Sequence, residues 1–334
     1  MTLHERCRRV ARMLLLPLGL AAAGPLTAQE VVDDGETQEG ALFLLLPIGA
    51  QGVGLGRAMT ALHNPEAAFW NPAGIAEETE RRALLYRGDQ LAGAATAASF
   101  LFPWQRVGTF GLSYLLLDLD DQDVTDDFGN TLGSFSVRNH LAIASFATSL
   151  PWGINAGANL KLVQFRVGCR GQCTDVETTS SAYAVDVGVQ AQPFSTLPLR
   201  FGWMLAHAGT EFRSSNEEGQ ALPLPTRLRF ALAYRVLHRV VEDEPLDLWA
   251  SVETEDRARD PGSPSVYFGL NLSAADMFFV RTGYVGGQLD QTDGATVGLG
   301  LRIDRFDLNL AMSLTRSMVT GQSQPIHVTL GVAF

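Results

Sequence analysis

The chain has 334 residues, 46% of them hydrophobic and 33 of them glycine, with 36 acidic against 25 basic side chains for a formal net charge of −11. That acidic balance excludes nucleic acid as a partner, because such binding is driven by cations that neutralise phosphates. Beyond the first 28 residues no apolar run reaches the ~20 residues of a membrane-spanning helix, so the hydrophobic content has to be spread in another way.

Residues 1–28 read as a secretory signal peptide. Arg6, Arg8, Arg9 and Arg12 precede an apolar run from Met13 to Ala23, and Leu26-Thr27-Ala28 offers a small-residue cleavage point. Cys7 lies in the basic region and not after the apolar run, so it does not mark a lipoprotein. Cleavage would remove four arginines and Glu5, leaving 21 basic and 35 acidic residues, net −14. Residues 29–41 then form a short acidic segment, 42–80 a hatch and 81–334 a barrel.

The hatch stretch is apolar and punctuated by Gly49, Gly52, Gly54 and Gly56, which permit tight turns and close approach to a wall. It ends in Asn71-Pro72-Ala73-Gly74, a rigid reversal. A nucleotide-binding loop is excluded, since Arg57 stands where the dinucleotide fingerprint needs glycine and no Walker lysine follows.

From residue 81 onward the apolar residues alternate. In Phe306 to Thr315 the large side chains Phe306, Leu308, Leu310, Met312 and Leu314 share one face, and Asp307, Asn309, Ala311, Ser313 and Thr315 the other. A strand turns successive side chains to opposite faces, and this length crosses a bilayer at a tilt. The same cadence predicts strands at 81–88, 92–102, 107–117, 136–150, 153–167, 179–192, 198–208, 226–237, 245–254, 264–272, 276–286, 293–303, 306–316 and 325–334. About fourteen strands make an even number, as a closed antiparallel transmembrane β-barrel requires. Closure follows from hydrocarbon offering no partner to a free backbone amide.

Loop lengths alternate as well. Asp118 to Gly133, Gly168 to Thr178, Gly209 to Leu224, Glu255 to Pro264, Gly287 to Thr292 and Arg316 to Gln324 are long and polar. Pro103 to Arg106, Pro151-Trp152, Ser273 to Asp276 and Asp304-Arg305 are short. This is the asymmetry of external loops and periplasmic turns. Alternation alone also describes a soluble sandwich, but that fold has no reason to alternate its loops so regularly. The stretch Leu237 to Glu244 is the exception, longer than a turn at that end should be.

Charges on the inward face are expected at Asp186, Arg200, Arg227, Arg229, Arg235, Asp247, Glu253, Arg281, Arg302 and Asp307. Mixed signs point to pairing across the lumen or with the hatch, not to a single-sign selectivity ring. Cys169 and Cys173 are candidates for a small disulfide loop in an exported protein, and no further Cys or His spacing suggests a metal. His140, His207, His238 and His327 are scattered, with His140 and His327 read as inward. No catalytic set can be assembled from them, so no catalytic residue and no cofactor is assigned.

Leu46-Pro47-Ile48-Gly49-Ala50, Gly54-Leu55-Gly56-Arg57-Ala58, Ala61-Leu62 and Ala67 through Ala76 resemble the N-terminal signature of PorV/PorQ-type outer-membrane proteins, relatives of the FadL long-chain fatty-acid transporter. Weaker likeness continues through Val185-Asp186-Val187-Gly188, Leu224 to Leu228 and Val280 to Tyr284. The resemblance implies a fourteen-stranded barrel with an N-terminal hatch, whose motif Asn71-Pro72-Ala73 matches. The chain departs from it at His63-Asn64-Pro65-Glu66. The last strand, alternating from Ile326 to the terminal Phe334, resembles the signal by which outer-membrane barrels are recognised for insertion. Expected partners are therefore the barrel-assembly machinery and outer-membrane lipid, in a bacterial outer membrane.

The resemblance implies two functions. One is passive uptake of small hydrophobic molecules, with Phe43, Leu45, Leu55, Phe69 and Trp70 lining an apolar pocket between hatch and wall. The other is a PorV-like component of the type IX secretion system, binding or tethering secreted proteins at the cell surface through Asp118–Gly133 and Gly209–Leu224. Fold alone does not choose between them.

Overall fold

The computed structural model describes residues 38–90, 93–126, 128–171, 178–194, 196–214, 221–287, 294–314 and 325–334. The wall is built from β1 (Arg82–Gln90), β2 (Gly93–Trp104), β3 (Gly108–Thr125), β4 (Thr131–Leu150), β5 (Ile154–Gly171), β6 (Thr178–Ala191) and β7 (Leu199–Gly209). It continues after a two-residue strand, β8 (Arg213–Ser214), with β9 (Arg227–Val241), β10 (Glu244–Arg257), β11 (Ser265–Ala274), β12 (Phe278–Gly287), β13 (Gly294–Ile303), β14 (Phe306–Ser313) and β15 (Ile326–Ala333). The sheet has fifteen strands, but β8 only caps the end of β6, through Ser180 and Ser181, so fourteen make the wall. Each wall strand is antiparallel to its chain neighbours. β15 returns to β1 in a ladder from Arg82↔Ala333 to Gly88↔His327, and the cylinder has no edge. Among the described residues no helix is long and apolar enough to cross a membrane, so strands are the only elements that could.

Period-two burial runs along every wall strand. On β3, Phe110, Leu112 and Tyr114 are exposed on the outside while Leu115 and Leu117 are buried within. Aromatics collect at the short-turn end: Trp104, Phe110, Phe146, Trp152, Phe306 and Phe334 are all exposed there, with Phe110 and Phe146 rings 4.9 Å apart. Such a girdle places amphipathic rings at a lipid boundary.

Two connections differ from the sequence reading. Most of Asp118 to Gly133, expected as loop, is strand: β3 runs to Thr125 and β4 starts at Thr131, and this hairpin, with β5 paired alongside as far as Gly171, projects past the other strands. Charged residues can pair there because the strand ends stand in water. The unexplained stretch Leu237 to Glu244 is also mostly strand. β9 and β10 meet in a turn at Glu242 and Asp243, whose φ values of 52° and 69° are those of a tight hairpin turn. It is therefore short, like the other turns at that end.

Residues 42–76 fill the lumen. The chain enters at the long-loop end, where the Gly40 N–H donates to the Pro223 carbonyl, and leaves at the short-turn end, where Ile75 packs on Leu101 and Ala147. A barrel of this size leaves more space than wall side chains can fill, and the hatch takes it up. Residues 1–37, including the expected signal peptide and nearly all of the acidic segment, lie outside the described residues.

Candidate functional site

The hatch is a string of short turns, each with a local cause. Leu42–Leu45 is one 3-10 turn, and Ala50–Gly54 is a single short helix, α1. Asn64 accepts from the Glu66 N–H at 2.7 Å and Asn71 from the Ala73 N–H at 3.1 Å, and each is followed by proline, so two further 3-10 turns begin with a cap and a preset φ. Gly56 has φ 57°, and a Cβ there would run into the β12 backbone at Tyr284 and Gly283. Only glycine allows the hatch to lie that close to the wall.

Residues 63–66, where the chain departs from the motifs it resembles, make a clasp of their own. Glu66 Oε2 accepts from the Gln51 and Gly52 N–H groups at 3.1 and 3.3 Å, at the start of α1. Asn64 holds Gln51 at 2.6 Å, and the Arg281 guanidinium reaches Gln51 at 3.1 Å and Asn309 at 2.9 Å. Glu66 is completely buried, and that burial pushes its carboxyl up to about 7, against the pull of Thr329, Arg281 and the two amides.

Buried polar groups attach hatch to wall on several sides. Glu253 accepts from the Thr60 N–H at 2.8 Å and hydroxyl at 2.7 Å. Gln190 donates to the carbonyls of Thr60 and Leu62, and the Asn71 side chain donates to Thr60 at 2.7 Å. The expected lumen charges lie on the inward face: Asp186, Arg227, Arg229, Arg235, Asp247, Arg302 and Asp307 are in ion pairs, Glu253 and Arg281 are held by hydrogen bonds, and Arg200 stacks on Trp249. Asp186 sits 2.6 Å from the Lys161 ammonium and also accepts from Asn159 and the His207 N–H. Arg227 clamps Glu39 through two nitrogens at 2.8 and 2.7 Å, and Arg229 meets Glu255 at 2.6 Å with its guanidinium over the Trp70 ring. Arg302 and Arg82 both hold Asp307 at the short-turn end. Lys161, Glu255, Glu66 and Glu39 were missed by the sequence reading. Lys161 carried a legible signal, a charge in register between Leu160 and Leu162; the other three gain meaning only from what they touch.

His140 corrects an expectation. It lies on the outer face of β4, its Nδ1 2.6 Å from the Tyr114 hydroxyl, whereas His327 is inward beside Tyr86. Cys169 is disulfide-bonded, and Cys173 lies outside the described residues.

Of the residues expected to line a ligand pocket, Leu45, Phe69 and Trp70 border one void between hatch and wall, with Arg57, His207 and Arg229. It measures about 10 Å³, room for one water. Leu55 instead packs with Met59 and Trp70. Phe43 joins Leu44 and Ile48 against Tyr86, Leu115, Leu117, Leu141, Ile143 and Val163, an apolar filling of the long-loop half of the lumen along β1–β6. A larger concavity of about 400 Å³, walled by Phe201, Trp203, Phe230 and Leu232, opens on the outside of the barrel.

Fold and lumen together define a closed fourteen-stranded antiparallel barrel occluded by its own N-terminal hatch. Solved structures of similar architecture include the toluene transporter TodX of Pseudomonas putida (12% identity, 89% of this chain and 97% of that one, TM-score 0.56). Also similar are a FadL homologue of Pseudomonas aeruginosa (12%, 86% and 98%, 0.53) and the monoaromatic hydrocarbon channel CymD (10%, 89% and 99%, 0.54). At such identities the likeness is one of fold. No family model and no curated protein matches the chain, so the narrower likeness to PorV/PorQ proteins, and the secretion role with it, rests on the sequence motifs alone.

Proposed function

We infer that the protein is an outer-membrane channel for passive uptake of small hydrophobic molecules. The observation that carries this is the apolar filling of the lumen along β1–β6 towards the long-loop end. There Ala95, Leu115, Leu117, Leu141, Ile143 and Val163 face inward, and the hatch's own Phe43, Leu44 and Ile48 occupy the space. Water-filled pores line themselves with polar groups, whereas a greasy passage favours solutes without charge. Each buried aliphatic side chain stabilises the closed arrangement by ~1.5–3 kcal/mol, and an apolar solute replaces that contact in kind. The solved barrels named as hydrocarbon transporters and channels support the reading by analogy of fold. The ligand pocket expected at Phe43, Leu45, Leu55, Phe69 and Trp70 then forms when the hatch shifts, since as packed it holds no solute. This reading includes export directed by residues 1–28 and insertion directed by Phe334, as expected from the sequence.

The test is uptake of toluene into proteoliposomes bearing the refolded mature barrel, beside liposomes without protein. Leu115→Asp with Ile143→Asp, which charges the passage while keeping the outer wall, is expected to cut entry at least tenfold. Equal entry with and without the barrel would end the channel reading.

A further inference from the structure

A group of cations stands on the outer wall at the long-loop end of β3–β5, unused by the channel. Arg138 on β4 and Arg166 on β5 are directly opposite in the ladder, and both are exposed on the outward face. Like charges set opposite each other destabilise a sheet. His140, two residues along β4 on the same face, is held through Nδ1 by Tyr114, and the charged groups whose fields reach it are Arg166, Arg138 and Asp118. Among the described residues, carboxylates compensate only one side of the group: Asp118 lies 3.2 Å from Arg138 Nε and Asp121 4.0 Å from its Nη2. Among the described residues Arg166 has no hydrogen-bond or ion-pair partner.

The height of this group on the wall says what could complete it. Four residues down each strand, roughly 13 Å along the chain, the outward row is Tyr114, Ala142, Leu162 and Tyr183, with exposed Leu112 and Leu160 beneath. Apolar side chains facing hydrocarbon, then tyrosines, then exposed guanidinium is the order met on crossing from acyl chains into head groups.

We propose that Arg166, with Arg138 and His140, binds the phosphate of a phosphorylated lipid in the leaflet on the long-loop side, its acyl chains lying on Leu112, Leu160 and Leu162. A phosphate between the two guanidinium groups turns their repulsion into shared charge-assisted hydrogen bonds. A free phosphate ion would meet the same nitrogens but gain nothing from the leucines below. The site rests on the membrane placement inferred above and is independent of what the channel carries.

The experiment titrates the refolded mature barrel, in non-ionic detergent, with bisphosphorylated lipid A and reads the bound fraction by native mass spectrometry. Arg166→Gln is expected to weaken binding about tenfold and Arg138→Gln with Arg166→Gln to abolish it. Arg87→Gln, another exposed outer-wall arginine, leaves it unchanged, and dephosphorylated lipid does not bind. Without lipid, Arg166→Gln is expected to melt no lower than the parent, because it removes a repulsion. Undiminished binding by the double variant overturns the site, as does a lower lipid-free melting point for Arg166→Gln. Displacement of lipid A by equimolar inorganic phosphate overturns it too, by reducing it to an anion site. A barrel that fails to float with lipid vesicles overturns the membrane placement itself, a separate readout from the detergent titration.

Discussion

Thr60 on the hatch and Glu253 on β10 are joined twice, by a backbone N–H and by a hydroxyl, both donating to one buried carboxylate. Removing the hydroxyl leaves part of that carboxylate unsatisfied in a site where water cannot replace it, at a cost of ~1–3 kcal/mol. Thr60→Val is therefore expected to speed amide hydrogen exchange across residues 50–62 by ~5–150-fold, with the wall strands unchanged. Exchange indistinguishable from the parent would mean that this contact does not hold the hatch.

Deleting residues 42–76 empties the lumen while sparing every wall strand. Planar-bilayer recordings of the refolded deletion barrel are expected to show a larger single-channel conductance than the full chain. No increase would show that the segment is not what occludes the pore.

Glu66 gives the hatch a pH dependence whose sign follows from its burial. Its folded value of about 7 lies above the ordinary 4.5, so the neutral form is the one the fold favours. The stabilisation is complete below pH 4.5, falls as pH rises through about 7 and is constant above that. A displacement of that size corresponds to roughly 3 kcal/mol between the two ends. Hydrogen exchange in α1, corrected for intrinsic rate, is expected to accelerate over this window, and Glu66→Gln to flatten the profile. A profile that slows with rising pH would reverse the assignment.

Gly56→Ala tests the closest approach of hatch to wall. The left-handed φ and the facing β12 backbone both oppose a Cβ, so the loss should be at least ~1–3 kcal/mol. It should appear as a lower temperature of the folded-to-unfolded mobility shift on electrophoresis. Gly129→Ala, at a loop position with open space around it, is the matched control for glycine loss.

Phe334 closes β15 at the short-turn end, its N–H donating to the Arg81 carbonyl and its ring 5.9 Å from Phe100. If the terminal aromatic is read by the assembly machinery, Phe334→Ala should lower the amount of barrel inserted in cells while leaving detergent refolding nearly intact. Equal losses in both assays would assign the ring to stability alone.

The sequence by itself determined the cylinder. Period-two alternation is local, repeats in every strand and ties each side chain to one face, so fourteen strands and their loop asymmetry were legible without a single tertiary contact. The same local logic failed at His140, and for a physical reason. Near the long-loop end the lumen is filled by the hatch's leucines, so Leu141 and Ile143 point inward and His140, with Ala142, is left outside. Larger apolar residues mark the lipid face only where the interior is polar.

What only the tertiary structure decided is which distant groups meet. Thr60 and Glu253 lie 193 positions apart, and Glu39 finds Arg227 across 188. The facing of Arg138 and Arg166 depends on the register of β4 against β5, which their separate alternation cannot fix. Charges reveal in sequence that they must be paired or solvated; their partners are set by how a closed sheet and the chain threaded through it come into contact.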